Sequence, residues 1–168
     1  MKILETKRLI LREVIENDAE FMLDLLNQPS FIKYIGDRGV RTTEEAKDFI
    51  ETRYRKSYRD HGYGLYTVEL KETGESIGVC GFVKRDTLPE SDIGFAFLPQ
   101  FEKKGYAFES AEAVLKYGKE TLNLKRILAI TTQDNENSGR LLEKLGFKFE
   151  QLIEMPNDEI LKLFSTDL

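Results

Sequence analysis

The 168-residue sequence has one cysteine, one histidine and no apolar run long enough to cross a membrane. Cys80 has no second cysteine for an internal disulfide, and we expect a small buried side chain there rather than a nucleophile. With His61 as the sole histidine, a typical zinc site cannot be assembled, so we expect no metal. Tracts rich in Pro, Gly or Ser are also absent, and the sequence therefore predicts a single domain over residues 1–168.

The charge balance limits the classes of partner. Lysine and arginine total 25 against 30 acidic residues, which gives a formal net charge of −5 at pH 7. This balance argues against nonspecific nucleic-acid binding and is compatible with amine substrates. The first eight residues lack the apolar core of a signal peptide, and a membrane span needs roughly 18 apolar residues. We expect a cytoplasmic protein, a monomer or homodimer, with no membrane or nucleic-acid partner.

Hydrophobic periodicity predicts seven strands and four helices in the order β-α-α-β-β-β-α-β-α-β-β. Asn17-x-x-Glu20 and Thr42-x-x-Glu45 have the pattern of capping boxes that open the first two helices, and Pro29 is expected to end the first. The order predicts an α/β (α+β) fold, a mixed sheet with helices on its faces, in which strands 65–70 and 76–83 form an antiparallel hairpin and strands 92–98 and 126–131 form a right-handed parallel crossover through the helix between them. The predicted strands are residues 8–14, 65–70, 76–83, 92–98, 126–131, 147–153 and 159–166.

The clearest functional signal follows the predicted strand 92–98, where a new helix begins within the segment Glu102-Lys103-Lys104-Gly105-Tyr106-Ala107. First-turn N–H groups have no partner inside a helix, and with the helix dipole they favour a phosphate. Gly105 allows a ligand to approach the backbone closely. Lys103 and Lys104 add positive charge, although a solvated basic surface explains these two lysines equally well. The segment predicts an anion-binding loop.

The predicted strand 92–98 has two faces of unequal size. Large apolar side chains occupy one face, and the other face holds only Asp92, Gly94 and Ala96. A strand with Gly and Ala on one side either packs against a bulky group or leaves room for a ligand to lie along it. The strand is therefore a candidate wall of a binding groove.

These segments together resemble the GNAT acyltransferases, in the branch that includes the RimJ and RimL ribosomal-protein N-terminal acetyltransferases. Residues 5–12 resemble the first strand of that branch, and Asp92-Ile93-Gly94-Phe95 resembles its fourth. Gly105-Tyr106-Ala107 is similar to the second half of the acyl-CoA loop motif Q/R-x-x-G-x-G/A. Residues 135–147 resemble the segment N-x-x-S-x-x-x-L-E-K-x-G-F. The resemblance covers essentially the whole chain.

The resemblance implies a GNAT fold with about seven strands, about four helices and a groove where the fourth and fifth strands splay apart. It implies an N-acetyltransferase that moves an acetyl group from acetyl-CoA to a primary amine by direct attack in a ternary complex. A nonenzymatic acyl-CoA-binding module on the same fold is the alternative. A nucleotide-binding switch or kinase-like domain is weaker, because the sequence has neither G-x-x-x-x-G-K-[ST] nor G-x-G-x-x-G.

The resemblance also implies site residues. Asp92 aligns with a glutamate that the family often uses as general base, whereas a salt-bridged carboxylate at a strand end is the simpler interpretation. The resemblance implies that the Ser138 hydroxyl bonds the leaving sulfur and that Asn135 contacts the CoA backbone. A plain helix cap is the alternative for Ser138, and a cap is compatible with the role of Asn135. The residues assigned to acyl-CoA binding are Phe97, Leu98, Lys103, Lys104, Gly105, Tyr106, Ala107, Asn135 and Ser138.

Four positions depart from the family pattern. Glu102 replaces the motif's Gln or Arg, and Lys103 stands where the branch usually has glycine. Leu142 occupies the position of the tyrosine that commonly serves as general acid, so that acid is missing. Asp92 is one methylene shorter than glutamate, which favours a bridging water. The acceptor stays open among protein N-termini, polyamines, aminoglycosides and amino-acid derivatives.

Overall fold

A computed structural model describes residues 1–168, and its centre is an eight-stranded sheet in the order β1-β2-β3-β4-β5-β6-β8-β7. Only β5 and β6 pair in parallel, and all other neighbours are antiparallel. The predicted mixed α/β fold is confirmed. The strands are β1 (Lys2–Glu5), β2 (Leu9–Glu13), β3 (Leu65–Leu70), β4 (Ser76–Val83), β5 (Asp92–Phe97), β6 (Arg126–Thr132), β7 (Lys148–Glu154) and β8 (Ile160–Asp167).

Helices cover both faces of the sheet. One continuous helix is formed by α3, a π-helical stretch at Ile50–Arg55, and α4. Short 3-10 turns precede α1 and α5, at Glu16–Asp18 and Pro99–Phe101. The helices are α1 (Ala19–Leu26), α2 (Pro29–Tyr34), α3 (Thr43–Phe49), α4 (Lys56–His61), α5 (Tyr106–Glu120) and α6 (Glu136–Lys144).

The start of the chain differs from the prediction. The sheet has one strand more than the predicted seven, because the four-residue β1 pairs with β2 at the sheet edge. So short an edge strand carries little alternation to detect. Pro29 begins α2, since proline at the first helical position loses no helical hydrogen bond, and α1 already ends at Leu26.

Neither of the two predicted capping boxes is complete, because the Glu45 carboxylate accepts from the Arg41 amide rather than from that of Thr42, but one of the two predicted caps is formed. Thr42 caps α3 as expected, since its Oγ1 accepts from the Glu45 amide at 3.1 Å. Asn17 does not cap α1. Asp18 is the N-cap residue of α1, but its carboxylate accepts from the preceding Ile15 amide at 2.9 Å and from Arg12 instead of from an amide of α1. The Arg12 ion pair, which is not a local interaction, favours Asp18 at this position.

The core forms two layers, one on each face of the sheet. On the first face α5 and α6 pack on β2 to β6, and on the second α1, α2 and α3 pack around Val14 and Val79. Gly118 of α5 allows a close approach to the sheet, because a Cβ there would lie 2.6 Å from the Phe82 ring. The β5-α5-β6 crossover predicted from the sequence is therefore held by apolar burial on both sides of its strands.

The parallel pair separates along its length. Six residues of β5 are in register with β4, from Asp92 to Phe97, but β5 and β6 are in register only where Asp92 faces Leu128. The Leu128 amide donates to the Ser91 carbonyl at 3.0 Å at this bridge. Beyond it the two strands diverge, as the predicted splay requires, and a cleft opens toward the start of α5.

Candidate functional site

A groove of about 1010 Å³ occupies the cleft between β5 and β6 and continues toward α2, α3 and α4. Two of the predicted residues are not part of its lining. Leu98 is buried in the core beside α1 to α3, and the Lys104 side chain is exposed outside the groove. The predicted residues that do line it are Asp92, Phe97, Lys103, Gly105, Tyr106, Ala107, Asn135 and Ser138.

The start of α5 presents a run of free backbone donors at one end of the groove. The amides of residues 103–108 donate to no group of the protein, and the Glu109 amide is the first to bond, to the Gly105 carbonyl at 3.0 Å. Gly105 is the N-cap residue with φ of 83°, a conformation that glycine adopts without strain. This loop can bind a phosphate through its amides and the helix dipole.

Arg8 and Glu109 hold this loop in place, a feature that sequence reasoning missed. Arg8 donates to the Lys104 carbonyl at 3.0 Å and to Glu109 at 2.7 Å, and its guanidinium lies 4.4 Å from the centre of the Tyr106 ring. Glu109 also accepts from the Thr6 hydroxyl and the Arg8 amide. Partial burial raises the pKa of Glu109, but these bonds outweigh it and lower the pKa below its ordinary value.

The edge of β5 that faces the cleft carries unpaired backbone groups. The Leu98 amide donates to Ile77 of the β4 side at 2.9 Å. Because hydrogen-bonding direction alternates along a strand, the amides and carbonyls of Phe95 and Phe97 point away from β4 and into the cleft. Past the Asp92 bridge, β6 is not in register with them. An extended ligand with its own amides can pair with this edge as an added strand would.

Asp92 lies at the apex of the cleft, where β5 and β6 meet. The residue is 1% exposed, and its Oδ1 accepts from Arg85 Nε at 3.0 Å. Burial raises the pKa of Asp92 to about 6, although Arg85 acts in the opposite direction. The salt bridge of the simpler interpretation is present. A carboxylate with this pKa is ionised at neutral pH and is also suited to accept a proton.

The N-terminus of α6 forms another wall. Asn135 is the N-cap residue, and its Oδ1 accepts from the Ser138 amide at 3.3 Å. The Ser138 hydroxyl makes no hydrogen bond within the protein and lines the groove. Leu142, one turn later, is buried against the core and brings no acidic group. The cap predicted at Asn135 is confirmed, and the free hydroxyl is available to a ligand.

Two threonines at the end of β6 belong to the lining and were not predicted. The Oγ1 atoms of Thr131 and Thr132 are buried without a hydrogen-bond partner. Buried hydroxyls normally find one, so these two can bond to a water or to a polar group of a ligand in the cleft. Their only sequence signal is the change from apolar to polar residues at the end of the strand.

Other predicted features lie outside this chemistry. Cys80 is fully buried, as predicted, and burial raises the pKa of its thiol to about 12. No group of three or more His, Cys, Asp or Glu side chains is arranged to hold a metal ion. None of the helices has the length and apolar character of a membrane span.

Solved structures with this architecture define the class of protein. The GNAT-family acetyltransferase from Bacillus anthracis superposes with a TM-score of 0.80 at 28% identity, covering 99% of this chain and 98% of that one. RimL, a ribosomal L7/L12 α-N-protein acetyltransferase solved in complex with coenzyme A, superposes with a TM-score of 0.82. It covers 100% of this chain and 98% of its own at 15% identity, which shows the fold alone. The fold is that of a GNAT acetyltransferase.

Sequence comparison gives the family. The Acetyltransferase (GNAT) domain family matches residues 8–148, and the chain belongs to it. The uncharacterized N-acetyltransferase YoaA of Bacillus subtilis (strain 168) is 34% identical over 152 residues, covering 90% of this chain and 85% of its own. Spermidine N(1)-acetyltransferase of Escherichia coli (strain K12) is 26% identical over 141 residues, covering 83% and 73%.

Proposed function

We propose that this protein is an N-acetyltransferase that transfers an acetyl group from acetyl-CoA to a primary amine by direct attack in a ternary complex. One observation carries the proposal: a buried carboxylate, Asp92, stands at the apex of a cleft whose other end presents the free amides of residues 103–108. Family membership supports acetyl transfer to an amine in general.

The residues of the cleft fit acyl-CoA. Its pyrophosphate matches the amides of Gly105, Tyr106 and Ala107, with the charge of Lys103 beside them. Its pantetheine arm contains amides that can pair with the free backbone edge of Phe95 and Phe97. About 17 Å of β5 separates Asp92 from Phe97, which leaves space for that arm between the phosphates and the reacting end. The geometry favours the loop amides as the main contacts, because the Lys104 side chain lies outside the groove.

Acetyl-CoA, when bound, would supply the acetyl group as a thioester. Transfer forms a C–N bond while the C–S bond breaks, and the second N–H proton passes to the leaving thiolate, which departs as the thiol of CoA. Asp92 takes the proton of the acceptor ammonium, directly or through one water. Arg85 fixes the orientation of that carboxylate. Ser138 holds a free hydroxyl on the α6 wall and is our candidate to donate toward the departing sulfur. Holding the two reactants together accounts for much of the rate.

The RimJ/RimL-like branch remains a proposal within the family. The Escherichia coli (strain K12) [ribosomal protein uS5]-alanine N-acetyltransferase supports it, at 33% identity over 90 residues. That match covers only 52% of this chain and 45% of the relative. We also propose that residues 1–168 form one domain that acts in the cytoplasm.

A nonenzymatic acyl-CoA-binding module is the second candidate. Specific observations favour it: Glu102 lies in the lining near the loop amides, and Leu142 provides no acid. An acid close to a pyrophosphate is unfavourable unless solvent screens it. The two candidates share every cofactor contact and differ only in what Asp92 and Ser138 do.

An assay of thiol release separates the two candidates. The protein is incubated with acetyl-CoA and a panel of primary amines, including peptides with free N-termini, polyamines and amino acids, and free thiol is followed with a chromogenic reagent. Cys80 is buried and adds no background. The proposal predicts thiol release that depends on the amine. Measurable CoA binding without such release favours the binding module.

A further inference from the structure

The groove has a wall of basic side chains beside Asp92. Arg38, Arg53, Lys84 and Arg85 all line it, and we call these four residues the basic wall. Arg85 contacts the Asp92 carboxylate directly, and Arg38 is close enough to Arg85 and Arg53 to be repelled by both, so the basic wall lies at the apex end. The CoA-loop amides lie at the other end of β5, about 17 Å away. The basic wall therefore faces the acceptor rather than the phosphates.

Most of this positive charge has no partner in the protein. Arg85 pairs with Asp92. Lys84 donates only to the Leu88 carbonyl, at 3.4 Å. Neither Arg38 nor Arg53 forms an ion pair or a hydrogen bond, and the Arg53 guanidinium lies 5.6 Å from the centre of the Phe49 ring. Three cations of the basic wall thus have no ion-pair partner. The other two unpaired lysines of the groove, Lys103 and Lys144, lie toward the start of α5, where Lys144 sits over the Phe108 ring.

The carboxylates of the groove do not balance the basic wall. Asp60 bonds to Lys56, and Asp92 bonds to Arg85. Glu102 belongs to the loop before α5, and Glu159 to the turn between β7 and β8. The apex end is positive in a chain whose net charge is −5. A diamine or polyamine acceptor would bring a second ammonium group against like charge.

Arg38 reports this imbalance most directly. Arg38 is an exposed residue, but desolvation of its guanidinium where it borders the groove, together with repulsion from Arg85 and Arg53, lowers its pKa. An anion beside Arg38 would offset both effects through Coulombic attraction and hydrogen bonds. Guanidinium groups bind carboxylates in a bidentate manner, which makes two free arginines a suitable carboxylate site.

We propose that the acceptor is a primary amine that also carries a carboxylate, which the basic wall binds while the amine faces Asp92. This inference rests on the proposed function and narrows its acceptor. The same carboxylate can belong to a small amino acid or to an acidic residue near a peptide N-terminus. Both share the chemistry, and the test distinguishes them.

The test compares acceptors that differ only at the far end. 5-Aminopentanoate, 5-aminopentanamide and 1,5-diaminopentane have the same chain with an anion, a neutral amide or a cation, and homologues of three to six carbons vary the reach. We expect kcat/KM at least tenfold higher for the carboxylate than for the amide, with the diamine last, as one charge-assisted contact provides. A diamine that equals or exceeds the carboxylate at every length overturns the inference for small amino acids.

Amidated tripeptides with Asp or Asn at the second position form the peptide arm. A preference for Asp there, with none among the small amines, assigns the carboxylate to a peptide. The absence of a carboxylate preference in both arms overturns the proposal.

Variants connect the preference to the basic wall. Arg38→Gln and Arg53→Gln should each reduce the ratio of carboxylate to amide kcat/KM about tenfold. Arg59→Gln is the matched control. Arg59 lies on the same long helix as Arg53, but it pairs with Glu51 and does not line the groove. The ratio of carboxylate to amide kcat/KM should be the same in Arg59→Gln as in the wild type. An unchanged ratio in both Arg38→Gln and Arg53→Gln contradicts the proposal.

A binding measurement separates this inference from the proposed function. Titration of N-acetyl-5-aminopentanoate or its amide into the CoA-loaded protein needs no catalysis. Tighter binding of the carboxylate, weakened by Arg38→Gln, supports the basic wall even if no amine is acetylated. Acetylation of amines without any carboxylate preference, in turn, supports the proposed function and overturns the inference.

Discussion

Arg85 donates through Nε to Oδ1 of Asp92 at 3.0 Å, and the two ends of this ion pair differ sharply in exposure. The Asp92 side chain is 2% exposed, whereas that of Arg85 is 34% exposed. Desolvation therefore acts mainly on the carboxylate, and the pKa of Asp92 rises to about 6 despite the cationic partner. The first two predictions follow from this pair.

The rate should depend on the ionisation of Asp92. Below about pH 6 the carboxylate is protonated and cannot take a proton from the acceptor, so log kcat/KM should fall with a slope of one. A pH–rate profile of the wild type and Asp92→Asn measures this fall, which we call the acidic limb, and the variant should lack it. Asp86→Asn, in the same β4–β5 connection but outside the groove, should keep it. A limb shared by all three proteins would assign it to another group.

The stability of the fold should also depend on the titration of Asp92, but in the opposite sense: the ionised form that supports catalysis is the form that destabilises the fold. The folded pKa of Asp92, about 6, lies above an unfolded value of about 3.9, so the ionised side chain destabilises the fold above pH 6 and this penalty disappears as pH falls toward 4. Two pKa units correspond to about 3 kcal/mol. As the pH rises from 4 to 7, the unfolding free energy of Asp92→Asn should therefore increase by about that amount relative to that of the wild type. Denaturant unfolding at both pH values measures it, and a pH-independent difference would contradict the assignment.

Gly105 should control CoA binding through its backbone. An alanine Cβ there would lie 3.2 Å from an Arg8 nitrogen, at a φ of 83° that strains any side chain. We expect Gly105→Ala to weaken CoA binding at least tenfold by calorimetry, at a stability cost of about 1 to 2 kcal/mol. Gly74→Ala is the control, since its φ of 75° gives similar strain in open space outside the groove. Equal CoA affinity in the two variants would place the phosphate elsewhere.

Arg8 should support the loop without touching the chemistry. Its bonds to Glu109 and to the Lys104 carbonyl fix the first turn of α5, so Arg8→Ala should raise the KM for acetyl-CoA several-fold and leave the acidic limb in place. Arg41→Ala, which breaks an exposed ion pair with Asp37, serves as control. Steady-state kinetics at varied acetyl-CoA concentrations measure the KM, and a pH–rate profile of the same variant shows whether the acidic limb is kept. An unchanged KM would mean that the loop keeps its shape without the Arg8 contacts.

Local sequence signals predicted much of this fold. The Thr42 and Asn135 caps, the β3–β4 hairpin and the β5-α5-β6 crossover depend on residues that are close in sequence, and all are present. The first turn of α5 belongs to the same group. Strand and helix periodicity also predicted the position of the cleft, because the face of small residues on β5 and the unbonded first-turn amides of α5 follow directly from the residue order.

Long-range contacts were beyond the sequence. Arg8 and Glu109 are 101 residues apart, and nothing near either residue indicates the other. The basic wall likewise joins Arg38 and Arg53 from the helical face to Arg85 from the β4–β5 connection. Its charge is opposite in sign to the overall net charge of −5, so composition, which is compatible with amine substrates, could not indicate it. Tertiary packing alone determines these contacts.

The central claim is that Asp92 acts as the base of an amine acetyltransferase, and thiol release by wild type and Asp92→Asn at saturating acetyl-CoA tests it most directly. CoA affinity is measured on the same samples. We predict amine-dependent release by the wild type, at least about 100-fold slower release by Asp92→Asn, and equal CoA affinity. Equal rates in the two proteins would remove Asp92 from catalysis, and CoA binding by the wild type without amine-dependent release would contradict the enzyme itself.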